Sequence, residues 1–196
     1  MNHQIINIQK VFRGYRQRRK LLIPSSLYQT KNWRKRQKWY INGKKNECEK
    51  YQIEITEKII KKDIKKTHER INYRTNEIHE QKNPLSFQDG FEWSENFDGY
   101  VKINQKIYYF NFKFVCDDGG AQTRTLRELY WFIQNQIIFL EKRNVKNIYF
   151  INILDGNTCY KHSNKFLYLK NQYKSVENRI FIGDLHQFQN EYKNIF

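Results

Sequence analysis

The stretch "YYFNFKFVCDDGGAQTRTLRELYWFI" (residues 108–133) joins a strand to a helix, and the rest of the chain can be ordered around it. Side chains of a strand alternate between faces, so Tyr108, Phe110, Phe112 and Phe114 share one side while Tyr109, Asn111, Lys113 and Val115 share the other. The phenylalanine side reads as core. An ammonium on the opposite side of so apolar a strand is costly unless something pairs with it. After the glycine pair Gly119-Gly120 the period changes. Leu126, Leu129, Ile133, Ile137 and Leu140 recur at helical spacing and predict a helix over 123–142.

Upstream, "FEWSENFDGYV" (91–101) and "KIYYFNFKFV" (106–115) read as two strands joined by a turn at Asn104-Gln105. The stretch from Glu47 to about Gln81 reads as helical, with Ile53, Ile60, Ile64, Ile71 and Ile78 recurring among charged residues. Downstream, "VKNIYFINIL" (145–154) is a strand ended by Asp155-Gly156. A helix near 162–173, a strand "RIFIGDL" (179–185) and a terminal helix follow. Asp155 and Asp184 read as residues that close strand ends. Strands alternating with helices indicate an α/β fold, a mixed sheet flanked by helices.

Charge divides the 196 residues unevenly. Residues 1–50 hold 14 of the 36 lysines and arginines but two of the 20 acids, so most of the net +16 lies in an amino-terminal arm. Such an arm suits nucleic acid, anionic lipid or an acidic protein. Cys48, Cys116 and Cys159 are odd in number and form no CxxC pair, which fits a reducing, intracellular compartment and gives no zinc signature. The five histidines show no ligand spacing. No apolar run is long enough to span a membrane, and no membrane association is expected.

Within the arm, "IINIQKVFRGYRQRRK" (5–20) places Ile5, Ile8, Phe12 and Tyr15 at helical steps with arginines on the other side. Ile8, Gln9, Arg13, Gly14 and Arg18 fall at the spacing of the IQ motif, and the segment resembles that family. The resemblance implies a helix gripped by calmodulin or a related EF-hand protein, apolar stripe in the groove and arginines on the acidic rim. The same helix could instead pack on the body, or act as a basic amphipathic segment on DNA or membrane. Beyond Pro24, "KNWRKRQKWY" (31–40) interleaves basic residues with aromatic ones, a pattern that suits a nucleic-acid backbone and its bases, with Lys35 and Arg36 as candidate contacts. A surface helix anchored by its tryptophans is the alternative. The division expected is an IQ-like helix over 1–22, a basic linker or helix over 23–47, and a main domain over 48–196.

Chemistry gathers around the opening strand. Asp98 lies on one strand, Lys113 near the end of its hairpin partner, and Gln122, Arg124, Arg127 and Glu128 on the helix that follows. A carboxylate, a lysine and polar groups meeting at one end of a sheet are what a metal-dependent phosphodiesterase needs. The carboxylate holds Mg²⁺ through oxygen, the metal activates water, and the lysine offsets charge on the phosphate. Other readings stand beside this one. Asp98-Gly99 could form a turn, Lys113 could extend to solvent along its stem, and Glu128 stands four residues after Arg124 at salt-bridge spacing.

Through "FDG", "FNFKFV", "GGAQTRTLRELY" and "FINILDG", residues 91–186 resemble the PD-(D/E)xK nuclease superfamily, and within it a type II restriction-endonuclease-like group. Combined with an IQ segment, the arrangement is similar to proteins of giant DNA viruses. The resemblance implies a restriction-endonuclease-like sheet and Mg²⁺- or Mn²⁺-dependent cleavage of double-stranded DNA, with a homodimer if the target is palindromic. It assigns Asp98 to the metal and Lys113 to catalysis. Gln122, Arg124 and Arg127 are the expected phosphate contacts. One position departs from the pattern: the residue two before the lysine is Asn111 where an acid is expected. Either Glu128 supplies the missing ligand from the helix, or the domain binds DNA without cutting it.

Overall fold

The computed structural model describes residues 31–80, 92–116, 119–143 and 145–196. The IQ-like segment, and with it Ile8, Gln9, Arg13, Gly14 and Arg18, lies outside the described residues. In chain order the elements are α1 (Lys31–Ile41), α2 (Lys45–Ile60), β1 (Glu69–Asn72), β2 (Glu77–Glu80), β3 (Gly99–Ile103) and β4 (Lys106–Phe114). There follow α3 (Gly120–Arg143), β5 (Ile148–Asp155), α4 (Asn157–Lys161), α5 (Ser163–Gln172), a 3₁₀ turn (Lys174–Arg179), β6 (Ile180–Gly183) and α6 (Leu185–Ile195).

Four strands form one mixed sheet in the order β3-β4-β5-β6. β3 and β4 are antiparallel, with Gly99 opposite Phe110 and Ile103 opposite Lys106. β4, β5 and β6 run parallel, as expected where a helix crosses over between strands. The hairpin at Asn104-Gln105 has both residues at positive φ, 49° and 66°, the left-handed pair that matches the twist of a tight antiparallel turn. Helices cover both faces. On one side α3 and α5 bury Leu129, Phe132, Ile133, Phe166 and Leu169 against Tyr109, Phe150 and Ile180. On the other, α2 and α6 pack Tyr51, Ile55, Leu185 and Phe188 against Tyr108, Phe110, Phe112 and Ile151. The face carrying Asn111 and Lys113 is therefore covered too, because strands in a parallel arrangement are sandwiched on both sides. Among the described residues no helix is long and apolar enough to cross a membrane.

Two stretches depart from the sequence expectation. The helix expected over 47–81 stops at Ile60, where Lys61 turns left-handed at φ 55°, and residues 69–80 form the β1–β2 hairpin. Ile71 and Ile78, seven apart, satisfy a helical period and are in fact cross-strand partners. The turn between them is set by Asn72, whose Oδ1 accepts from the amides of Arg74 and Thr75 at 2.9 and 3.0 Å, a local bond that competes with helix. The strand expected over 91–101 is confined to its end, Gly99 onward.

α1 is fastened to the body rather than trailing from it. Arg36 is buried and its Nη1 lies 2.8 Å from Asp155 Oδ2. The same carboxylate accepts from Gln52 Nε2 at 2.9 Å and, through Oδ1, from the amide of Leu185 at 3.3 Å. The guanidinium lies 4.9 and 5.0 Å from the ring centres of Tyr51 and Phe114. The chain leaves Asp155 through Gly156 at φ 96°, where a Cβ would fall 2.2 Å from the carbonyl oxygen of Val115; only glycine fits that crossing. Asp184 stands at the end of β6, as expected, and also caps α6: its Oδ1 accepts from the Gln187 amide at 2.8 Å, and Gln187 Oε1 accepts from the Asp184 amide at 2.9 Å, a reciprocal box.

Candidate active site

β3 begins at Gly99, so the last four residues of β4 run past it and leave a notch at the sheet edge. Asp98 fills the place where a longer β3 would have continued. Its amide donates to the Phe110 carbonyl at 3.0 Å, and its Oδ2 accepts from the Phe112 amide at 2.6 Å. Gly99 lets the chain pass close to Ile64 and Lys65, since a Cβ there would lie 2.4 Å from Ile64 Cγ2 and 2.8 Å from the Lys65 carbonyl oxygen. The Asp98-Gly99 pair is thus a seam rather than a turn.

Lys113 enters the same notch. Its Nζ lies 3.0 Å from Glu95 Oε2, with the lysine side chain 18% and the glutamate side chain 45% exposed. The pair therefore opens to solvent on the glutamate side. Burial pulls the Lys113 ammonium downward, but Glu95, Asp98 and Glu49 together outweigh it and leave its pKa raised. The ammonium is held in its charged form. Asp98 shifts upward because burial outweighs Lys113 and the Phe112 amide, with Glu95 adding to the rise. Glu49, on the first turns of α2, also shifts upward: burial dominates, Lys113 opposes it, and Asp98 and Glu95 reinforce it. Three carboxylates thus share the field of one amine. Asp98 and Lys113 lie near enough for each to act on the other's charge. Glu95 and Glu49 were not foreseen, and no spacing rule in the sequence points to them.

The remaining candidates are distributed differently. Asn111 is 1% exposed, and its Nδ2 donates to Asn152 Oδ1 at 3.1 Å, an oxygen that also accepts from Gln136 Nε2 at 3.1 Å. Asn152 Nδ2 returns a bond to Gln136 Oε1 at 2.7 Å. Asn111 Oδ1 has no hydrogen-bond partner among the described residues. Its amide thus joins a buried chain of amides linking β4, β5 and α3. Glu128 is exposed on α3 together with Arg124 and Arg127, and Gln122 is half-buried at the start of that helix. The field of Glu128 reaches Tyr73, whose phenol is pushed up to about 12 by burial first, then by Glu95 and Glu128. Lys35 is exposed, with Nζ 4.7 Å from the Trp39 ring centre. Arg36 faces inward to Asp155, so its guanidinium is turned away from any phosphate at the surface.

For a divalent cation the donor chemistry is suitable, since Asp98, Glu95 and Glu49 offer the carboxylate oxygens a hard ion takes. A cation would also relieve the crowding that raises Asp98 and Glu49. As the side chains stand, no group of three or more His, Cys, Asp or Glu among the described residues is disposed to hold a metal ion. Glu95 is engaged with Lys113, and one Asp98 oxygen with the Phe112 amide. Comparison of the chain with protein-family models, with curated proteins and with solved structures finds no match. The functional reading rests on the notch.

Proposed function

We propose that this protein is a metal-dependent endonuclease of the restriction-endonuclease-like kind, hydrolysing phosphodiester bonds in double-stranded DNA. The observation that carries the reading is Lys113, held charged among Glu95, Asp98 and Glu49 in an open notch at the end of two hairpin strands. Asp98 and Glu49 would hold Mg²⁺ or Mn²⁺, which when bound supplies positive charge at the scissile phosphate and an acidified water. Lys113 cannot serve as a base while protonated. It donates a hydrogen bond that orients the attacking water and offsets charge building on the phosphate oxygens. Glu95, the carboxylate of the notch most open to solvent, accepts the proton of that water. The water oxygen bonds to phosphorus, the P–O bond to the leaving sugar breaks, that alkoxide takes a proton from solvent water, and Glu95 returns its proton to solvent. Arg124 and Arg127, exposed on the helix that follows β4, contact backbone phosphates.

Incubation of the purified protein with supercoiled plasmid and Mg²⁺ or Mn²⁺ tests this. Nicking is expected, and Lys113→Ala should abolish it while leaving the circular-dichroism spectrum unchanged. Wild-type protein that never nicks under either metal overturns the reading.

One observation favours a second reading, a nuclease-like domain that binds DNA without cutting it. Asn111 stands where the superfamily pattern asks for an acid, and its amide is committed to Asn152 within the core. Retarded mobility of a DNA duplex in the presence of protein, with the duplex recovered intact, is the outcome that distinguishes it.

A further inference from the structure

Four large apolar side chains among the described residues are exposed: Ile41, Trp131, Leu167 and Tyr168. Single exposed apolar residues need no explanation. Trp131 and Tyr168 are different, because they lie on two helices that pack against each other, α3 and α5. A groove of about 390 Å³ is lined by Tyr130 on α3 and by Asn164, Lys165 and Tyr168 on α5. The two helices meet there, with the Tyr130 and Phe166 rings 6.3 Å apart between centres. Trp131 follows Tyr130 on the helix that forms one wall and is 60% exposed, while Tyr168 is 59% exposed. Lys165 lines the groove, and Arg124, Arg127 and Glu128 are exposed on α3. Arg124, Arg127 and Trp131 recur at three- and four-residue steps, so they share one side of α3.

We infer that the α3–α5 surface, with Tyr168 and Lys165 in the groove and Trp131 one residue beyond its Tyr130 wall on the side of α3 that carries Arg127, binds unpaired nucleic acid. In a duplex the bases stack on one another and offer only their edges. Exposed aromatic faces next to cations therefore favour bases released from pairing, which stack on the rings while the phosphates meet the basic groups. α3 is the helix that follows β4, the strand that carries Lys113. The inference deepens the nuclease reading and rests on it for the nature of the polymer: the substrate would be DNA with an unpaired segment, such as a flap, a fork or a melted site.

The test uses the full chain in EDTA, with fluorescence anisotropy of a dye-labelled oligothymidine and of a labelled duplex of equal length. Trp131→Ala and Tyr168→Ala should each weaken single-strand binding by about tenfold, the scale of one lost base stack. Trp131→Phe should recover most of that loss. Melting temperature and duplex affinity should change little, since both rings are exposed. Raising salt should weaken single-strand binding, and Arg127→Gln should flatten that dependence by about 0.7 in the log–log slope, the contribution of one phosphate. Variants that bind oligothymidine as wild type does, or that lose single strand and duplex equally, overturn the inference. So does a wild-type protein with no affinity for oligothymidine, which would assign the surface to a protein partner. Lys113→Ala separates the two readings. Lost cleavage with intact single-strand binding supports both, and a wild type that never cuts yet needs Trp131 for single strand keeps the groove while removing the nuclease.

Discussion

Two cation–carboxylate pairs lie one strand apart at the same end of the sheet. Lys113 meets Glu95 at 3.0 Å beside β4, and Arg36 meets Asp155 at 2.8 Å at the end of β5; in the register between these strands Phe114 stands opposite Asp155. Their surroundings are opposite. Asp155 is 2% exposed at its side chain and spreads its oxygens over Arg36, Gln52 and the Leu185 amide, while two rings hold the guanidinium. Lys113 faces three acids at once, and its one close partner is half open to water. A pair that is closed and saturated holds elements together. A pair with surplus acids and an open side has capacity left for a ligand. The buried pair is therefore a fastening between elements, although its geometry is the tighter of the two.

The largest expected effect falls on the closed pair. Arg36→Ala leaves the buried Asp155 side chain without its cation partner, and urea unfolding should report a loss of about 3–5 kcal/mol; a loss below about 1 kcal/mol would erase the contrast. Next comes Lys113→Ala. Cleavage should fall about 10²- to 10³-fold, the scale of removing one preorganised donor, while unfolding shifts by no more than about 1 kcal/mol because its partner reaches solvent. Among the acids, Glu49→Gln should reduce plasmid nicking and the Mg²⁺ response more than Glu128→Gln, whose side chain is exposed on α3. Equal losses would return Glu128 to the site.

A pH series sharpens the comparison further. Burial and like charges raise Asp98 and Glu49 above their ordinary values, so the folded state binds their protons more tightly than the unfolded chain does. Ionisation of these two acids therefore costs stability. The cost is absent below the unfolded carboxylate range, grows as pH rises through it, and is complete above the folded values. Asp98→Asn and Glu49→Gln should raise the melting temperature at neutral pH, and the advantage should fade on acidification. The smallest effect expected is that of Lys35→Ala, about 0.5–1 kcal/mol from an exposed cation over the Trp39 ring.

Much of this was legible in the chain because the signals were local. The Asn104-Gln105 turn, the apolar stripe of α3 and the place of Lys113 among the aromatic residues of β4 each follow from residues within a few positions of one another. The layered sheet was legible for the same reason, from strands and helices in alternation. The errors arise where local and long-range signals coincide. Ile71 and Ile78 fit a helical period, but a cross-strand pair has no preferred spacing, and the decisive bond comes from the Asn72 side chain. Glu95 and Glu49 look like any surface acid until the fold sets them around Lys113. Arg36 was indistinguishable from its basic neighbours, since what buries it is a carboxylate 119 residues away. The position of Asn111 was readable, yet its role in joining β4 to Asn152 depends on a strand that is adjacent only in space.

The shortness of β3 carries a consequence of its own. Beyond Phe110, the outer edge of β4 would present free amides to any extended segment that drifted by, which is how sheets recruit foreign chains. Asp98 occupies that edge with a charge, satisfying the Phe112 amide without offering a ladder to extend. The residue proposed to serve chemistry therefore also acts as a guard against self-association. Asp98→Ala should aggregate on concentration even where Asp98→Asn stays monodisperse.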